Sequence, residues 1–189
     1  MSFSVSAVAD LIRSIAGKPK KNYYTSAIVL AGGSGTRMGD VGTTKQMLDI
    51  DGIPVVVRSI LAFESCPIID EIIVAAKKEE IPLYEEFRQK YRLSKFRAVV
   101  PGGDTRQASV FSALKAVSDK SEFVAIHDGA RCCITPEMIE MTARSAYRCG
   151  GIAQRQKSLL NHPLSGWFSF YKQKKTEGRT LPFFMLFKY

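Results

Sequence analysis

The chain has 189 residues, 46% of them apolar, with 27 Lys and Arg against 18 Asp and Glu for a formal net charge of +9. That length carries one domain with appendages and a packed core, and the charge points to an anionic partner. No run approaches the ~18 apolar residues of a membrane span, Asp10 and Arg13 interrupt any signal-peptide core, and Cys66, Cys132, Cys133 and Cys149 have no metal-site spacing, which fits reduced thiols in a cytoplasmic protein.

Val5, Val8, Leu11, Ile12 and Ile15 recur at helical spacing, so residues 1–25 read as an amphipathic extension ending in the basic linker Lys18 to Lys21. Residues 26–31 form a first buried strand. Asp51-Gly52 marks a tight turn, and Pro54 starts a helix running to about Ser65. Residues 70–76 are a second strand, 79–91 a helix with Pro82 in its first turn, and 96–100 a third strand. Residues 104–117 are a helix with Asp104 as its N-cap and Gln107 three residues on. A fourth strand follows at 122–128. Thr135-Pro136 then opens a helix to about Cys149, and 150–153 begins a fifth strand.

This alternation is the signature of an α/β fold: a Rossmann-like, mostly parallel sheet with helices on both faces. Ligands of such sheets bind at the carboxyl ends of the strands. Three loops leave strands on that edge: AGGSGTR (31–37), PGGDTR (101–106) and HDGAR (127–131). In the first, Gly32, Gly33 and Gly35 let backbone approach a ligand closely and present N–H groups to an anion. The P-loop pattern is absent, and the dinucleotide fingerprint fails because Met38 stands where its third glycine belongs. Two cations remain, Arg37 and Lys45, and they suit a triphosphate.

AGGSGTRMG followed by Lys45-Gln46 resembles the phosphate loop of sugar-phosphate nucleotidyltransferases. With PGGDTRQASV and HDGAR in the same order, residues 25–153 resemble the 2-C-methyl-D-erythritol 4-phosphate cytidylyltransferase family. The resemblance implies transfer of CMP from CTP to a polyol phosphate with release of pyrophosphate, assisted by Mg²⁺ or another divalent cation. It implies that Arg37 and Lys45 stabilise developing charge, that Gly32, Gly33 and Gly35 hold the phosphates, and that Ala31 belongs with them to the substrate-binding residues. Gly103, Asp104, Arg106 and Ser109 would recognise cytosine, Asp128 would bind the metal, Arg131 would meet the second substrate's phosphate, and Gly129 would be a further substrate-binding residue. His127 reads as structural. Gly129 and Cys132 stand where the family commonly has alanine and proline.

Beyond GGIA (150–153) the family pattern stops. Residues 155–189 hold seven Lys or Arg and one Glu, which is +6 of the +9. They show no clean period, so the domain division is 1–25, 26–153 and a basic, aromatic tail at 154–189 from an altered reading of the gene. That tail is expected to pack loosely, without a strand or helix to place its aromatics. The family's polyol-binding elements and dimer arm are then missing. The sheet edge is left uncovered, and the family homodimer is impaired. The alternatives are a ribitol-5-phosphate cytidylyltransferase and a CTP-binding remnant without turnover. An RNA- or membrane-surface role for the tail is the third reading, with no specific nucleic-acid recognition expected.

Overall fold

The computed structural model describes residues 23–33, 44–149, 151–155, 167–176 and 179–182. The helix expected near residues 5–15 lies outside them, as do Gly35 and Arg37. The first strand, β1 (Thr25–Leu30), is apolar from Ala27 onward and almost wholly buried. A 3₁₀ turn at Lys45–Met47 leads into a small hairpin of β2 (Asp49–Ile50) and β3 (Ile53–Pro54). Its turn residues Asp51 and Gly52 both have positive φ, 53° and 75°, as the two-residue turns that match strand twist require. Helix α1 (Val55–Ser65) follows directly on Pro54.

The chain then alternates strand and helix: β4 (Glu71–Ala76), α2 (Ile81–Lys90), β5 (Phe96–Pro101), α3 (Arg106–Leu114), β6 (Phe123–Asp128) and α4 (Pro136–Cys149). Three more strands follow: β7 (Gly151–Arg155), β8 (Trp167–Thr176) and β9 (Arg179–Pro182). Among the described residues seven strands make one sheet in the order β5-β4-β1-β6-β8-β7, with β9 on β8. β5, β4, β1 and β6 are mutually parallel.

Side chains of the parallel strands alternate between two cores, as a pleat dictates. Ala27, Val29, Ile72, Val74, Phe123 and Ala125 pack on one face with residues of α1, α2 and α4. Ile28, Ile73, Ala75, Val124 and Ile126 pack on the other beneath Val110 and Ala113 of α3. Because both faces are covered, these strands read as continuous apolar runs.

The tail departs from expectation. β8 lies antiparallel beside β6, with Ala125 opposite Phe170 and Ile126 opposite Ser169. It also pairs antiparallel with β7. The edge of β6 is therefore paired, and the aromatic stretch at 167–171 belongs to a strand. The physical reason is that β6 presents a full row of backbone donors and acceptors, and a segment rich in aromatic residues meets it without needing an apolar period of its own. No helix among the described residues is long and apolar enough to cross a membrane.

Candidate functional site

The sheet runs outward from β1 to β4 and β5, then returns to β6 on the other side of β1. The strand order therefore reverses between β1 and β6, and ligands of open α/β sheets bind at the carboxyl ends beside such a reversal. A cleft of about 730 Å³ opens there. Gly32 and Gly33 line it from the exit of β1, and Gly103, Asp104, Arg106 and Ser109 from the exit of β5. Asp128 closes it from the end of β6. Seven of the expected site residues thus meet at one place.

The loop after β5 is built by short hydrogen bonds. Gly102 N–H donates to Ala76 O at 2.7 Å, which fastens it to the end of β4. Gly103 N–H donates to Ser109 Oγ at 3.0 Å, and that hydroxyl lies 3.0 Å from Thr105 O and 3.2 Å from Gly103 O. Buried Ser109 therefore shapes the loop, and the Gly103 amide is paired within it. The expected cap is also corrected. Thr105 is the N-cap of α3, its hydroxyl accepting from Ala108 N–H at 3.0 Å. An extended Thr105 precedes helical Arg106, so the helix begins one residue too late for Asp104 to cap it. Asp104 is left facing the cleft.

Asp128 is held by two arginines. Its Oδ1 accepts from Arg106 Nε at 3.2 Å and its Oδ2 from Arg131 Nε at 3.1 Å. The turn carrying Arg131 is fixed from beneath: Arg131 N–H donates to Asp128 O at 3.0 Å, and His127 Nε2 sits 3.1 Å from Arg131 O. Because a carbonyl only accepts, that ring nitrogen is the donor. His127 is 2% exposed, and burial pushes its pKa down to about 4. The ring is neutral at physiological pH and supports the turn, the structural role expected of it.

Ala31 and Gly129 stand one step behind. Ala31 N–H donates to Ala75 O at 2.7 Å and Gly129 N–H to Leu30 O at 2.8 Å. Their amides serve the sheet, so what they bring to the cleft is placement of their neighbours. The backbone of Lys45 opens the 3₁₀ turn before β2. Thr44, just ahead of it, donates to Glu80 Oε1 at 3.4 Å, tying this segment to the exit of β4.

Two contributions escaped sequence reasoning. Lys77 and Lys78 line the cleft from the exit of β4. Their signal was available, since a basic pair directly after a buried strand is a fourth loop on the same edge. Gln46 is 6% exposed, donates to Gly33 O at 3.4 Å and leaves its Oε1 without a partner. Gln46 stood in the Lys45-Gln46 pair of the first motif without a role of its own, because no pattern of charge or period shows that its amide is buried against Gly33.

Among the described residues no three His, Cys, Asp or Glu side chains gather to hold a metal by themselves. Glu79, Asp104 and Asp128 all line the cleft, and a carboxylate at the end of β6, as Asp128 is, suits a hard cation that takes most of its oxygens from phosphate, the usual way Mg²⁺ is bound. The Asp128 donor set fits such an ion. The cleft can therefore hold a polyanion between cationic side chains, with a carboxylate beside it.

Comparison with known proteins gives the family. Residues 25–155 match the family described as IspD: 2-C-methyl-D-erythritol 4-phosphate cytidylyltransferase. The chain is 40% identical over 125 residues to the 2-C-methyl-D-erythritol 4-phosphate cytidylyltransferase of Syntrophus aciditrophicus, covering 66% of this chain and 53% of that one. It is 41% identical over 123 residues to that of Bacillus mycoides, covering 65% and 54%. It thus spans about half the length of the curated relatives it matches. In structure it is similar to the 4-diphosphocytidyl-2C-methyl-D-erythritol synthase of Anaerococcus prevotii, with a TM-score of 0.59 and 29% identity over 72% of this chain and 57% of that one.

Proposed function

This chain belongs to the 2-C-methyl-D-erythritol 4-phosphate cytidylyltransferase family, and from that premise we propose that it binds CTP in the cleft and transfers CMP to 2-C-methyl-D-erythritol 4-phosphate. A phosphate oxygen of the polyol attacks the α-phosphorus. The bond from that phosphorus to the bridging oxygen breaks, and pyrophosphate leaves with the electron pair. Transition-state charge builds on the non-bridging and leaving oxygens, so catalysis rests on fixed cations and positioning.

The observation that carries the reading is the convergence of four strand-exit loops on one cleft, with Asp128 set between Arg106 and Arg131. Gly32 and Gly33 let the triphosphate approach the backbone. Arg37 and Lys45 oppose its developing charge. The 103–109 segment reads cytosine, with Asp104 facing the cleft and Ser109 keeping the loop in shape. Arg131 meets the phosphate of the polyol. Mg²⁺, when bound, neutralises triphosphate charge, and Asp128 is the side chain that would hold it. The setting is the cytoplasm, where CTP is available.

Binding and turnover are tested separately. Titration of the chain with CTP, ATP, GTP and UTP in the presence of Mg²⁺ is expected to show preference for CTP. Equal binding of all four would remove the cytidylyl reading and leave a general phosphate site. Pyrophosphate release is then measured with 2-C-methyl-D-erythritol 4-phosphate and with ribitol 5-phosphate. Release with the first is expected, and CTP binding without release from either would reduce the function to nucleotide binding.

A further inference from the structure

We propose that Gln46 is a positioning residue for the triphosphate: its buried carboxamide holds Gly33 against the 3₁₀ turn that begins at Lys45, and so sets the start of the glycine loop relative to that turn. This rests on the nucleotidyltransferase reading and deepens it.

Gly33 and Gln46 stand at the two ends of one stretch of chain. Residues 34–45 run between them and include Gly35, Arg37 and Lys45. The Gln46 end is anchored on its own account. Met47 N–H donates to Thr44 O at 2.9 Å, and Val55 N–H donates to Leu48 O at 2.9 Å. The Thr44 hydroxyl donates to Glu80 Oε1 at 3.4 Å, and Met47 packs against the core. The turn is therefore part of the scaffold, and Gln46 carries its position across to Gly33. Nε2 donates to Gly33 O at 3.4 Å. A Cβ on Gly33 would lie 3.2 Å from the same Nε2 and meet nothing else within 4 Å among the described residues. The amide thus touches Gly33 at its α-carbon as well as at its carbonyl, so it fixes the residue by packing and by hydrogen bond together.

Packing alone does not call for an amide at this place. Gln46 is 6% exposed, and its Oε1 has no partner among the described residues. A buried acceptor without a partner costs stability. Methionine fills a similar volume and carries no such acceptor. Side chains that break a local rule of this kind collect at functional sites. What the amide supplies and methionine lacks is a donor to Gly33 O, and Gly33 and Gln46 both line the cleft. The effect falls on phosphate and not on the base, because the 103–109 loop is shaped by its own bonds between Gly103 and Ser109.

The test uses the whole chain in Mg²⁺ buffer and three probes, CTP, CMP and inorganic tripolyphosphate, by calorimetry, with a thermal melt of every variant. Gln46→Met is expected to melt no lower than wild type, yet to bind CTP and tripolyphosphate about fivefold more weakly, the worth of one neutral hydrogen bond. CMP, with the base and a single phosphate, is expected to lose less than about twofold. Gly33→Ala, whose Cβ displaces the amide, is expected to weaken tripolyphosphate binding severalfold in the wild-type background. In the Gln46→Met background, where no donor is left to displace, the same change is expected to add less than about twofold. Wild-type tripolyphosphate affinity in Gln46→Met, an equal loss for CMP, or losses that simply add in the double variant would overturn the positioning role. A lower melt with the same loss for every probe would make Gln46 a structural residue only. Wild type that binds tripolyphosphate but prefers no nucleotide would remove the cytidylyl reading, while the tripolyphosphate arm still decides the positioning. Wild type that binds neither would remove both.

Discussion

At the scale of single residues, His127 and Gly103 carry the clearest liabilities. The folded pKa of His127 lies at about 4 against 6.5 for the free side chain, with burial the main cause. Between those values the unfolded chain binds a proton that the folded chain refuses. Stability therefore rises with pH through this window, and falls as pH drops from 6.5 to about 4. The full effect is on the order of 3 kcal/mol. Urea unfolding at a series of pH values checks it: His127→Gln should flatten this segment of the profile, and an unchanged slope would mean that the histidine is not its source. Gly103 is a matter of space. A Cβ there would lie 2.4 Å from Ala108 Cβ and 3.2 Å from the Ala108 carbonyl carbon. Neither can swing away, because both belong to the first turns of α3. Gly103→Ala is expected to cost about 1–3 kcal/mol, seen as a lower urea midpoint, and to weaken CTP binding by shifting Ser109.

At the scale of elements, the start of α3 separates two acidic or hydroxyl residues that sequence treats alike. Asp104 and Thr105 both satisfy the N-cap preference, and Gln107 completes a capping box only from Asp104. The backbone decides, since Thr105 is extended and Arg106 helical. Thr105→Ala is expected to lower stability by about 1 kcal/mol, while Asp104→Ala leaves stability nearly unchanged and alters ligand binding. Thermal melts of the two variants side by side decide it; the reverse order would restore Asp104 as the cap. The other elements were legible for definite reasons. Pro82 lies in the first turn of α2. Thr135 caps α4 through Met138 N–H at 3.3 Å. The parallel strands announced themselves as unbroken apolar runs, because each is covered on both faces. The convergence of three site loops was legible too, since each glycine-bearing loop directly followed such a run. What could not be read was β8. Its residues alternate in no useful way, and its place is set by the open edge of β6, a partner about 40 residues earlier in the chain. Gln46 was hidden likewise, because its importance lies in a buried amide that only the fold creates.

At the scale of the whole molecule, the tail extends the sheet beyond β6, with β8 directly against it and β7 beyond β8. Without β8, β6 would present its hydrogen-bonding edge to solvent, and such edges recruit other chains. A version ending at Arg155 is therefore expected to associate in size-exclusion chromatography at concentrations where the full chain elutes as one species. Amides of Phe168 to Lys172 in the full chain should exchange as slowly as those of β6, with which they pair. Fast exchange there, together with an unassociated short version, would mean that β8 contributes nothing to the edge.

The strand order also imposes a timetable on synthesis. β7 is separated from β6 by β8, yet β8 is the later of the two in the chain. A ribosome therefore delivers β7 before the strand it must pair with exists. At ~5–20 residues per second, the wait from Arg155 to Thr176 is about one to four seconds. During that interval the four parallel strands and their helices are already complete, while β7 has no strand partner and β6 is bare on one side. The nascent chain is most vulnerable to pairing with a stranger at that moment, and the arrival of β8 covers the bare side of β6 and gives β7 its strand partner at once.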